Sequence, residues 1–203
     1  MVFDLVVSHY SSRLEWLNDL EVSTARQIVI YSKGPIEKRP AGSISLPNVG
    51  REGHTYLTYI CQNYHQLPER IVFTVDTVVG QKGSDRMTKL REAIRSKGTY
   101  FPVLSHEDTQ FHSGFSMKYY SGSTQILANP RPYGKWYRRW VRGTLCHIKK
   151  TGVSYNGIFS VTGRDIKRFP LKHYQDLLAQ LSIGDQIEAG HFMERSWRSM
   201  WLI

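Results

Sequence analysis

Apolar residues in the first half of the chain come in short unbroken runs, with helical spacing between them. Leu5-Val6-Val7, Ile28-Val29-Ile30-Tyr31 and Ile71-Val72-Phe73-Thr74-Val75 lack strict alternation, the pattern of strands buried on both faces. After the first run, Ser12-x-x-Glu15 reads as a capping box opening a short helix with Leu14 and Leu17. Leu57, Ile60, Cys61 and Tyr64 stand at i, i+3, i+4, i+7, one face of a helix that Pro68 stops. Met87, Leu90 and Ile94 mark a basic amphipathic helix, followed by a short Pro102-Val103-Leu104 run. Gly157-Ile158-Phe159-Ser160-Val161 predicts a further strand. Tyr174, Leu177, Leu178 and Leu181 predict a helix ended by Gly184, and Met193, Trp197 and Met200 a last helix near 189–201. Strands each followed by a helix predict a single α/β domain over 1–203, with a mostly parallel central sheet flanked by helices on both faces.

Charge changes the picture in one place. The chain of 203 residues carries a formal charge of +10. Residues 109–164 contain nine Lys or Arg and no Asp or Glu, so nearly all of the excess sits there. That segment breaks the strand–helix rhythm and reads as loop-rich. Its Gly- and Tyr-rich stretch from His112 to Gly134 is a candidate mobile loop over a site. A basic face calls for an anionic partner: nucleic acid, a lipid surface or a phosphorylated small molecule. No run approaches the length of a membrane span, and no signal pattern opens the chain. Cys61 and Cys146 lack metal-ligand spacing and read as two free thiols of a cytosolic protein.

Ligands of open parallel sheets bind at the carboxyl ends of the strands. Those ends offer Ser8-His9-Tyr10, Lys33 and Asp76. Asn48-Val-Gly50-Arg51-Glu52 is a glycine turn into a helix N-terminus, which suits a phosphate; equally, Gly50 only turns the chain and Glu52 only complements the helix dipole. Asp76, closing an apolar strand, either holds a divalent cation or caps a turn. On the last helix His191, Glu194, Arg195 and Arg198 form one polar stripe, read as solvated surface or as a wall closing over a site. There His191 is a candidate metal ligand and Glu194 a candidate base.

Taken in order, these motifs resemble a family. Asn48-x-Gly50 leading through a helix to Phe73-Thr-Val-Asp76 is similar to the nucleotide-sugar glycosyltransferases of the type A fold, where the strand ends in an Asp-x-Asp metal motif. Gly157-Ile-Phe-Ser-Val with Arg164-Asp-Ile and a Pro170-led helix looks like their acceptor side. Glu188-x-Gly-His191-x-x-Glu194-Arg195-x-Trp197, Leu46 to Leu57 and Leu67 to Phe73 resemble a glycosyltransferase-like group of fungi, bacteria and large viruses, with a chlorella-virus capsid-glycan domain as a candidate relative.

The resemblance implies a nucleotide-binding half, 1–104, and an acceptor-side half, 105–203. It implies a UDP-sugar donor held with Mn²⁺ or Mg²⁺, a glycan or glycoprotein acceptor, and a cytoplasmic protein (host cytoplasm if viral), which stands alone or serves as a domain of a larger protein. Ser8, His9 and Tyr10 would line the nucleoside pocket, with Lys33 and Arg51 also on the donor. Asp76 would be the metal-side carboxylate, His191 a candidate second ligand or phosphate contact, and Glu188 and Glu194 are the candidates for catalysis. Asp76-Thr77-Val78 departs from Asp-x-Asp, and Asp85 is the substitute the loop offers. The competing expectations are a catalytically idle nucleotide-binding relative and a nucleic-acid or glycan binding module. The latter would use Arg131, Lys135, Arg138, Arg139 and Arg142 with Tyr133, Trp136, Tyr137 and Trp140. Core packing ranks first for those aromatics, and nucleic acid is not the expected partner.

Overall fold

The computed structural model describes residues 2–20, 22–79, 83–102, 113–117, 126–142, 153–185 and 187–202. Five strands form one sheet: β1 (Phe3–His9), β2 (Ala25–Ser32), β3 (Ile44–Ser45), β4 (Arg70–Val75) and β5 (Phe159–Thr162). Their order is β3-β2-β1-β4-β5, parallel except for the antiparallel β4–β5 pair. The central strand β1 is buried along its whole length, as its unbroken apolar run predicts. Val6 pairs with Val29 on one side and Phe73 on the other, so the carboxyl ends of β1, β2 and β4 finish level.

Helices cover both faces: α1 (Arg51–Asn63), α2 (Gly83–Arg95), α3 (Tyr133–Trp140), α4 (Gly163–Ile166), α5 (Leu171–Leu181) and α6 (Glu188–Trp201). Val6, Phe73 and Phe159 pack against Tyr56 of α1, Leu177 of α5 and Trp197 of α6. The Trp197 and Trp201 rings stack at 5.4 Å within that layer. On the opposite face Phe3, Leu5, Val7 and Val72 pack on Leu90 and Ile94 of α2 and on Trp16. Alternate residues of β1 thus feed two cores. The chain beyond residue 105 supplies β5 and four of the covering helices, so the two expected halves share one sheet.

Two expectations change. The segment after β1 forms a 3-10 turn, Glu15–Asp19, whose N-cap is Leu14 with no side-chain cap, so the Ser12–Glu15 box does not form. Ser12 is engaged elsewhere, as described below. The basic segment expected to be loop-rich contains α3, which buries Tyr133, Trp136 and Tyr137 completely. Their i, i+3, i+4 spacing was a legible helix signal, and their burial takes three of the four aromatics away from any surface stacking role. Much of the remainder lies outside the described residues: Val103-Leu104, His112 and 118–125 of the candidate mobile loop, and Cys146. Among the described residues no helix is long and apolar enough to cross a membrane.

Candidate functional site

A cavity of about 420 Å³ opens at the carboxyl ends of β1, β2 and β4. Its walls bring together Ser8, His9, Tyr10, Lys33, Arg51 and Asp76, six residues expected there. Glu194 of α6 joins them from across the cleft. Of the remaining expected residues, His191 lies behind the wall and Glu188 lies elsewhere.

Asp76 holds the β1 end in shape. Its Oδ2 accepts the successive main-chain N–H groups of Tyr10, Ser11 and Ser12 at 2.8, 3.0 and 3.0 Å. Three convergent amides form a nest that selects an anion. The carboxylate is therefore a clamp on the β1 loop, which answers the choice between cap and cation ligand in favour of the cap for that oxygen. His9 Nε2 donates to the Ser12 carbonyl at 3.1 Å, and Nδ1 lies 2.9 Å from the Ser32 hydroxyl. Ser8 Oγ is 3.0 Å from Thr55 Oγ1 of α1. With His9 and Ser8 tied back, the ring of Tyr10, half exposed at the rim, is the surface that this loop offers a ligand.

The second wall is the entry to α1. Gly50 has φ +60°, and a Cβ there would stand 2.3 Å from the Leu181 carbonyl oxygen. Only glycine fits such a position. Arg51 follows with φ 51°, also left-handed, a conformation that needs support from its surroundings. Lys33 gives it: the ammonium donates to the Val49 carbonyl at 2.5 Å and to the Arg51 carbonyl. Burial pushes the Lys33 pKa down to about 8, against the pull of Glu52 and Asp185. The same burial, with Lys33 nearby, pushes His54 down to about 4.

The third wall is α6 and the turn before β5. Glu194 Oε1 accepts the Asn156 N–H at 3.0 Å, and Arg86 Nη2 donates to Asn156 Oδ1 at 3.3 Å. Asn156 and Gly157 have φ of 75° and 63°. Tyr56 donates to the Gly157 carbonyl at 2.7 Å, fixing the turn from below. Burial raises the Glu194 pKa, and the like charge of Glu52 raises it further. The Asn156 N–H, Arg51 and Arg195 oppose the rise. Two carboxylates thus face one polar cleft with one of them biased toward binding a proton.

The polar stripe of α6 is packed rather than solvated. Arg51 Nη1 lies 3.0 Å from His191 Nε2. Burial, then Arg51 and Arg195, push the His191 pKa down to about 3. Arg195 is buried, its guanidinium 4.2 Å from the Phe115 ring. The His191 ring is tied to the Arg51 guanidinium, a poor seat for a cation, and it is not part of the cavity wall that holds Asp76, so the two do not form the expected metal pair. Among the described residues no group of three or more His, Cys, Asp or Glu is arranged to hold a metal ion. Asp85, the substitute carboxylate, is exposed and paired with Lys89.

Glu188 is corrected as well. It is wholly buried at the start of α6 and accepts the N–H groups of Met117 and Ala128 at 2.9 and 3.0 Å. Arg131 Nε stands 2.8 Å from it. A carboxylate satisfied by two amides and a guanidinium holds its neighbouring segments together, and it is not part of the cavity wall. Sequence reasoning missed Arg86 of α2, Asn156 of the turn before β5 and Asp185 of the turn after α5, which enter from three separate parts of the chain. Their neighbourhood depends on tertiary contacts that no local spacing records.

Residues 5–202 match the family described as "Protein of unknown function (DUF3431)". Comparison with the curated proteins and with the solved structures gives no match.

Proposed function

The chain belongs to the DUF3431 family, and from that premise we propose that it is a glycosyltransferase. Its donor is a nucleoside diphosphate sugar, UDP-sugar first among the candidates, and its acceptor a hydroxyl of a glycan or glycoprotein in the cytoplasm. One observation carries the reading: the cavity at three parallel strand ends gathers Lys33, Arg51 and Arg86 beside the carboxylates Glu52 and Glu194. Cations suit a diphosphate, and a carboxylate of raised pKa suits an acceptor proton.

In this reading Ser8, His9 and Tyr10 line the nucleoside pocket: Tyr10 stacks on the base, and Ser8 and His9, tied to Thr55, Ser32 and Ser12, fix the loop that presents it. Lys33, Arg51 and Arg86 meet the negative charge that grows on the diphosphate as the glycosidic bond breaks. The acceptor oxygen bonds to the anomeric carbon, the electron pair of the old bond leaves with the diphosphate, and the acceptor proton passes to Glu194. The fixed Asn156 turn keeps that carboxylate in place. A divalent cation would add charge neutralisation, but Asp76 and His191, as placed, do not fit it, so no step here runs through a metal.

Calorimetry with UDP, GDP, CDP and ADP, each with Mn²⁺ and with chelator, tests the binding half. One diphosphate should bind in both conditions, and Arg86→Ala should weaken it roughly tenfold. Release of nucleotide from the matching sugar donor tests the transfer half, with Glu194→Gln inactive. No binding of any nucleotide would overturn the proposal.

A further inference from the structure

Outside the cavity, one surface joins exposed aliphatic residues to unpaired cations. Leu127 and Ile183 are 54% and 63% exposed. Ile126 bridges them: it pairs with Ile187, and its Cδ1 would stand 2.7 Å from a Cβ on Gly184. Three residues after Ile126, the Asn129 carbonyl accepts Trp140 Nε1–H at 2.9 Å. Trp140 is half-buried, and the Arg139 guanidinium lies 5.0 Å from its ring. Lys135, Arg138 and Arg139 occupy the exposed face of α3 at i, i+3, i+4. Among the described residues none of the three has a carboxylate partner, and the surrounding sequence from 109 to 164 contains none.

We propose that this surface docks on an anionic lipid bilayer, with Leu127, Ile126 and Ile183 entering the headgroup layer and α3 lying on its phosphates. The charge identifies an anionic partner. The contiguous aliphatic side chains select lipid over nucleic acid, which has no use for them, and the aromatic faces that could stack on bases are buried as Tyr133, Trp136 and Tyr137. Trp140 is half-buried with its indole N–H satisfied by Asn129, the amphipathic arrangement favoured at a membrane surface. The turn that carries Ile183 also carries Asp185 on the cavity wall, so docking presents the cavity at the lipid surface. The inference does not depend on the transfer reaction.

Sedimentation with vesicles of phosphatidylcholine alone and with about 30% phosphatidylserine tests it. The chain should bind the anionic vesicles, less at high salt. Lys135→Ala, Arg138→Ala and Arg139→Ala together should weaken binding roughly a hundredfold, from about a factor of five for each surface cation. Leu127→Ser with Ile183→Ser should weaken it with the charge intact. All five positions are exposed, and unchanged thermal unfolding verifies that the variants are folded. The other tryptophans are buried, so a blue shift of emission on adding vesicles reports Trp140. Equal binding to neutral vesicles, indifference to the triple substitution, or binding of single-stranded RNA without vesicle binding would each overturn the proposal.

Discussion

The Asp76 carboxylate accepts the main-chain N–H of Tyr10 at 2.8 Å, from the end of β4 to the end of the neighbouring β1. In return Asp76 N–H donates to the Ser8 carbonyl at 3.0 Å. The loop that shapes one wall of the cavity is therefore built on a carboxylate from the next strand.

Removing that carboxylate should cost stability as well as binding. Asp76→Ala leaves three amides at a nearly buried position without their acceptor, a loss of about 3 kcal/mol. Asp76→Asn keeps one oxygen and should lose less than half as much. Urea unfolding of the two variants, with unchanged slope, measures the difference. Equal midpoints for Asp76→Ala and the parent chain would mean that the nest does not hold the loop.

Two glycines of the same backbone sign separate conformation from space. Gly42 has φ +75° with nothing near an added Cβ, whereas Gly50 has φ +60° with the Leu181 oxygen at 2.3 Å. Gly42→Ala should cost about 1 kcal/mol, the price of the left-handed conformation alone. Gly50→Ala should cost about 3 kcal/mol or more, because α1 must also back away from α5. Thermal unfolding of the pair gives the ratio, and nucleotide affinity should fall only for Gly50→Ala, whose shift moves Arg51.

How much of this was legible in the sequence depends on the range of the contact involved. Leu5-Val6-Val7 and Ile71 to Val75 declare themselves as buried strands because a two-face burial leaves an unbroken apolar run. Ser8, Lys33 and Asp76 were then found simply by reading strand ends. What Asp76 does was not legible, since an Asp that binds a cation and one that gathers amides look alike in sequence. The choice rests on Tyr10, Ser11 and Ser12, 64 to 66 positions away. Glu188 and Glu194 share one helix and one apparent chemistry, yet burial against Met117 and Ala128 removes the first from the cavity. The α3 helix is the opposite case: Tyr133, Trp136 and Tyr137 carried its periodicity, and the surrounding charge hid it.

Lys33 gives the site a pH dependence of two opposite signs. Its folded pKa, pushed down by burial to about 8, lies below its ordinary 10.5. Between those values the unfolded chain holds the proton and the folded chain does not, so this residue's contribution to stability rises with pH from about 8 upward. The neutral amine keeps two N–H groups for the Val49 and Arg51 carbonyls, but the charge facing a diphosphate is gone. Diphosphate affinity should accordingly fall about tenfold from pH 7 to 9. In Lys33→Gln the affinity is already low and should not change across that range, which calorimetry at the two pH values measures.

Glu194 ends the series because stability and activity should part company there. Burial, then Glu52, raise its pKa in the folded chain above the ordinary value of 4.5. As pH rises from the unfolded value through the folded one, the folded chain retains a proton that the unfolded chain has lost, and stability declines. Glu194→Gln removes that cost while its amide oxygen still accepts the Asn156 N–H. The variant should therefore be more stable than the parent at pH 7, and the advantage should vanish below pH 4.5. Sugar transfer should fall by roughly a hundredfold or more, since the proton acceptor is gone. Chemical unfolding at the two pH values and a donor-turnover assay measure the pair. A less stable variant at pH 7 would mean that the ionised carboxylate is a net structural asset, and the assignment of Glu194 as the proton acceptor would lose its physical basis.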